Sequence, residues 1–222
     1  MFSPSRGEWV FLAFILFYSF VPAFGGLLRI VDLMAGPTII PENSRALASP
    51  FPVVLHILGS LVFCLGGAFQ FLPSIRRMNI SLHRWLGKIV SAAGLLSGVT
   101  GLWMTLTFEF PPELQGILLY WVRIVVSLAM FLFIFRAVAS VLSGNIFVHR
   151  SSMIRAYAIG QGASSQAILG ISWMILFGTE LTGLSRDIVM VSAWCINQLF
   201  AEVFIARTNS LTLKSRYNEF TA

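Results

Sequence analysis

Charge is what this sequence has least of. Only 11% of its 222 residues are charged, against roughly 25% in an ordinary water-facing domain. That is too little polar cover for a soluble globule and excludes a soluble catalytic domain. Cysteine is equally scarce. Cys64 and Cys195 are the two in the chain, and each sits inside an apolar run, which excludes a disulfide framework and any CxxC metal or redox pair. There is no phosphate loop, no G-x-G-x-x-G, no G-x-S-x-G and no H-E-x-x-H, so the common soluble-enzyme chemistries have no carrier here. With 3 histidines, a two-haem relay held by four imidazoles is excluded by counting. Internal repeats and low-complexity tracts are also missing. The net charge of +6 does not indicate nucleic acid, because the bases fall between apolar stretches and not along one exposed face.

What is present is apolar bulk. Hydrophobic residues make up 57% of the chain, with 20 Phe and 6 Trp, and the mean hydropathy is +0.83. A membrane helix needs about 20 mainly apolar residues. Six segments qualify: Trp9–Leu28, Pro52–Leu72, Trp85–Phe108, Gly116–Leu142, Met153–Phe177 and Asp187–Ala206. The first is too long in its apolar core for a secretory signal, and no small-x-small cleavage site follows it before Arg29; it reads as a span kinked at Pro22. Gly36-Pro37, Pro41, Ser49-Pro50, Pro73-Ser74, Pro111-Pro112, Ser143-Gly144-Asn145, Gly178 and Thr182-Gly183 mark the connections. Arg76, Arg77, Arg84, Lys88, Arg150, Arg155, Arg207, Lys214 and Arg216 gather on one side; opposite, the third loop has Glu109 and Glu113 with no base, and the first and fifth loops mix signs through Arg29, Asp32, Glu42 and Arg45, then Glu180, Arg186 and Asp187. Such asymmetry places both termini in the cytoplasm. The expected fold is an all-α integral membrane bundle of about six helices, a single transmembrane domain over residues 1–222.

Polar groups inside these helices are the candidates for function, since a charge at the bilayer centre is costly. His56, Gly59, Ser60, Phe63, Gly67 and Gln70 share one face of the second helix. His56 lies about one turn, and Arg123 about two turns, in from the outer surface, so both can share an outer-leaflet polar pocket; the structural alternative is a capped histidine and a snorkelling arginine. Near the cytoplasmic face, His83, His149, Arg155, Tyr157 and Glu202 form a second candidate cluster. Arg155 and Glu202 fall at similar depth, and charge neutralisation is the simpler reading of that pair. His83 and His149 are the depth-matched histidines, so they are the candidate ligands for one haem b, or for a metal completed by a carboxylate. Interfacial anchoring is the alternative, with Trp85 at headgroup level. Gly87, Ser91, Gly94, Gly98 and Gly101 line one stripe of the third helix, and small residues so placed let a neighbouring helix approach closely.

The stretch His56-x-x-Gly59-Ser60, Gly66-Gly67-Ala68-Phe69-Gln70-Phe71, Arg76-Arg77 and His83-Arg84-Trp85-Leu86-Gly87 resembles a bacterial predicted-membrane-protein family, domain of unknown function 2306. Gly101-Leu102-Trp103-Met104, His149, Met153-Ile154-Arg155-Ala156-Tyr157-Ala158 and Glu202 are similar to its later segments, and the likeness runs over residues 53–207. The helix at 9–28 is extra to it. Ser152 stands where the family usually has Trp before the Met-Ile-Arg run. The resemblance implies a bacterial inner-membrane protein and carries no reaction with it. Three functions fit the residues: a redox protein binding haem or quinone near the cytoplasmic face, a small-solute or proton transporter, and a non-catalytic accessory subunit. A membrane-protein partner or a second copy of the chain belongs to the last.

Overall fold

The computed structural model describes residues 4–36 and 40–221, with side chains as far as Thr208. Pro37 of the expected first loop and the side chains of Lys214 and Arg216 lie outside that set. All regular structure among the described residues is helical: α1 (Arg6–Tyr18), α2 (Phe20–Ala35), α3 (Ser44–Ala48), α4 (Pro50–Leu61), α5 (Gly67–Gln70), α6 (Pro73–Met78), α7 (Ile80–Thr107), α8 (Ile117–Leu142), α9 (Ile146–Gly160), α10 (Gly162–Phe177) and α11 (Gly183–Thr221). A π-helical turn, Val62–Gly66, joins α4 to α5. Asparagines set several of the starts. Asn43, Asn79 and Asn145 each accept the backbone N–H three residues on and so cap α3, α7 and α9.

Among the described residues, four helices are long and apolar enough to cross a membrane: Pro50–Gln70, Ile80–Thr107, Ile117–Leu142 and Gly183–Thr208. α1 and α2 pass the same test as one span bent by 45° at Ser19. Pro22, in the first turn of α2, has no N–H for the carbonyl of Tyr18, and the bend falls one turn before it. The segment expected as one span over Met153–Phe177 is two helices. α9 ends at Gly160 and α10 begins at Gly162, with the buried Gln161 between them. α9 and α10, at 15 and 16 residues, are each shorter than a full span, so the described helices supply up to five crossings.

α7 packs between α4 and α8, α9 against α8 and α11, and α10 against α11 and α2. The interior is the polar part. Ser97, Thr100, Ser152, Gln161 and Ser164 are buried, whereas Phe17 is 80% exposed and Phe200 71%. Lipid surrounding the bundle accounts for that inversion, because hydrocarbon accepts Phe and offers Ser no partner. Phe63 of the π turn anchors the core with Val90, Met130, Ile134, Ala156 and Tyr157.

Candidate functional site

Gly59 brings α4 and α7 together. A Cβ there would lie 2.9 Å from the carbonyl oxygen of Ala93 and 3.1 Å from the amide nitrogen of Ser97, so only glycine permits this approach. One turn before it, His56 donates from Nδ1 to the Ser97 carbonyl oxygen at 2.9 Å, with Thr100 Oγ1 at 3.3 Å. A carbonyl can only accept, so Nδ1 carries the proton and Nε2 is left as an acceptor without a protein partner. The ring rests against Gly101, where a Cβ would come within 3.2 Å of Cε1. Ser60 and Ser97 share a hydroxyl–hydroxyl bond of 2.7 Å on the next turn.

His56 lines a chamber of about 420 Å³ that lies among the helices, within the size range of small-molecule sites. One end of it lies by the α7–α8 connection, where Arg45 of α3, Phe110 and Arg123 of α8 meet. Both guanidinium groups stack over the Phe110 ring, at 5.0 Å for Arg45 and 5.1 Å for Arg123. Arg123 also donates to Gln115 Oε1. Apolar walls from Ile57, Leu61, Met104 and Met130 lead to a floor at Cys64, Gly160 and Ser164. Among the described residues, no Asp or Glu lines it.

That floor is where two backbone irregularities face each other. The break at Gln161 leaves the last carbonyls of α9 without helical donors, and such groups must be satisfied when buried. Asn197 Nδ2 serves Ala158 at 3.1 Å, Trp194 Nε1 serves Ile159 at 3.2 Å, and the Cys64 thiol serves Gly160 at 3.4 Å. The π turn similarly frees the carbonyl of Cys64, which accepts from the Tyr157 hydroxyl at 2.5 Å. Gln161 ties the assembly together. Its Nε2 donates to Tyr157 at 2.9 Å, and its Oε1 accepts from Ser19 at 3.1 Å and Ser164 at 2.9 Å. Tyr18 adds contacts to Ser165 and Asn197.

The candidate cytoplasmic-side residues do not form one cluster. Arg155 and Glu202 make a two-pronged ion pair, Nε–Oε1 2.5 Å and Nη2–Oε2 2.7 Å, at the outer surface of the bundle. Tyr157, two residues on and hence on the opposite face of α9, points into the core against Phe63 and Phe71. His149 donates from Nδ1 to the Ala137 carbonyl oxygen at 3.0 Å. The Nδ1 of His83 is buried without a hydrogen-bond partner among the described residues, as are Gln70 Nε2 and Ser152 Oγ. Neither His83 nor His149 borders the chamber. Among the described residues, no three His, Cys, Asp or Glu side chains come together to hold a metal.

The glycine stripe divides by depth. Gly94 faces Phe63 and Ile134, at 2.6 and 2.8 Å from a built Cβ, and Gly87 faces Gln70 at 3.4 Å. Gly98 and Gly101 line the chamber. The sequence reading did not single out Arg45, Phe110, Cys64 or Ser97. Arg45 and Phe110 lie in connecting segments with no local pattern, and a buried thiol or serine in an apolar run carries no signal of its partner.

An all-helical bundle with an apolar exterior and a polar interior defines a multi-span integral membrane protein. Residues 53–205 match the family described as predicted membrane protein (DUF2306), and the chain belongs to that family. The match begins in α4, so α1–α3 lie outside it. No curated protein and no solved structure matches the chain.

Proposed function

We propose that this protein takes a small lipophilic solute into the chamber and serves as its binder or carrier across a bacterial cytoplasmic membrane. In this reading both termini are cytoplasmic, α9–α10 forms the remaining crossing, and the chamber opens in the outer leaflet. The chamber itself carries the proposal: about 420 Å³ bordered by His56 and Arg123 at one end and by a broken helix at the other. Irregular backbone at membrane depth is tolerated where it is buried in protein or lines a cavity, and broken helices form the solute sites of many carriers. Native mass spectrometry of the purified protein is expected to show a bound adduct that Gly98→Leu, which projects a side chain into the chamber, removes without unfolding the protein. An adduct retained unchanged by that variant would defeat the proposal.

A second reading rests on a different observation. The Nδ1 bond of His149 to Ala137 leaves its Nε2 available, the way ligating histidines are held, and His83 is its depth-matched neighbour. Here the pair holds one haem at the cytoplasmic side. Expression with added haem is then expected to give a Soret band that His149→Ala abolishes; a colourless, fully folded preparation would end this reading.

A further inference from the structure

The arginines at this end of the bundle differ in what they are bound to. Arg29 pairs with Asp32 at 4.0 Å and donates to the Pro41 carbonyl oxygen at 3.0 Å. Arg186 donates to the carbonyl oxygens of Leu114 and Leu181 at 3.1 and 3.4 Å. Arg45 has no hydrogen-bond acceptor, and its Nε is buried and unpaired. Arg123 has Gln115 alone, a neutral amide. Asp187 of α11 has both carboxylate oxygens committed to the amides of Gly116 and Leu119, at 3.0 and 3.1 Å. Two guanidinium groups therefore share one aromatic ring, with N–H donors in reserve and no carboxylate on the chamber wall. Holding partly desolvated cations with no anion hydrogen-bonded to them is costly, and a planar guanidinium fork matches the oxygens of a carboxylate or phosphate.

We infer that the chamber's ligand is an acidic single-chain amphiphile, its carboxylate or phosphate head held by Arg45 and Arg123 over Phe110 and its chain lying along the apolar walls towards Cys64. This rests on the chamber being a binding site, and adds the chemistry of what it binds. The volume suits one short chain and is too small for a whole two-chain phospholipid. His56 Nε2, an acceptor, suits a hydroxyl or a protonated phosphate oxygen beside the head.

The full chain in phosphatidylcholine nanodiscs can be titrated with laurate, dodecyl phosphate, dodecanol and inorganic phosphate. Laurate or dodecyl phosphate is expected to bind at least about tenfold tighter than dodecanol, the effect of one charge-assisted hydrogen bond. Arg45→Gln and Arg123→Gln are each expected to weaken the acids by about that factor and leave dodecanol unchanged, while Arg123→Lys, which keeps the charge, recovers part of the loss. Retention of the wild-type elution volume and melting temperature separates lost binding from lost fold. Equal binding of dodecanol and laurate, or no response to either glutamine variant, would overturn the inference while leaving a binding chamber in place. Inorganic phosphate binding as tightly as dodecyl phosphate would overturn the amphiphile in favour of a free anion. Tight binding only in nanodiscs containing phosphatidylglycerol would overturn it in favour of a bilayer headgroup. Binding of none of the four would overturn it along with the carrier reading.

Discussion

At the scale of single residues, glycine in this protein does two different things that look the same in the sequence. Gly94 and Gly98 form one Gly-x-x-x-Gly pair, yet a methyl at Gly94 would meet Phe63 at 2.6 Å and Ile134 at 2.8 Å, while at Gly98 the nearest atom is the Ser127 carbonyl oxygen at 3.7 Å. Phe63 and Ile134 are fully buried and cannot step aside. Gly94→Ala is therefore expected to destabilise by about 1–3 kcal/mol through overpacking, and Gly98→Ala to be close to neutral. Thermal unfolding of both variants in the same detergent checks the contrast, and equal losses would refute it. Each member of the pair reads as a small helix residue; which one touches a neighbour depends on Phe63, far away in sequence.

At the scale of elements, the bundle is held at mid-depth by mutual repair of two irregular helices. The π turn of Val62–Gly66 and the break at Gln161 each release carbonyls, and the donors come from other helices: Tyr157 for Cys64, Trp194 and Asn197 for the end of α9. Tyr157→Phe keeps the ring packing against Phe63 and Phe71 but strands the Cys64 carbonyl and the Gln161 amide. Its expected cost is about 1–3 kcal/mol, the penalty of leaving a buried polar group unsatisfied. Reversible unfolding of the variant measures this, and wild-type stability would mean the network contributes nothing. Arg155 and Tyr157 of the fifth expected span and Glu202 of the sixth were legible as polar positions. The break itself was not, because an apolar run with two glycines reads equally well as one straight helix.

At the scale of the whole molecule, the connections differ in charge: Arg76, Arg77 and Arg84 flank the junction of α6 and α7, whereas the α7–α8 connection holds Glu109 and Glu113 and no base. Glu8 accepts from the Ser74 amide at 2.7 Å and so ties the start of α1 to the α6 end. Gly183 donates to the Glu113 carbonyl oxygen at 2.9 Å, closing the other. Positive residues are retained on the cytoplasmic side. In a variant with Cys64→Ala and Cys195→Ala, a cysteine introduced by Glu109→Cys is expected to react with a membrane-impermeant maleimide on intact spheroplasts, and one introduced by Arg76→Cys only after lysis. The reverse labelling would invert the topology and put the chamber mouth in the cytoplasm.

By itself the sequence determined the solvent and where most of the helices lie: too few charges for water, apolar runs of bilayer length and a proline bend. These are local properties of composition and spacing, so they could be read without a partner in view. It also marked His56 and Arg123 as residues at one depth. Only the tertiary structure decided that Arg45 and Phe110 join them, that no carboxylate reaches the same chamber, and that Tyr157 turns away from Arg155 and Glu202. Those are facts of long-range contact. Arg45 and Phe110 come from a short helix and a connection whose positions are set by packing, and no periodicity along the chain records that.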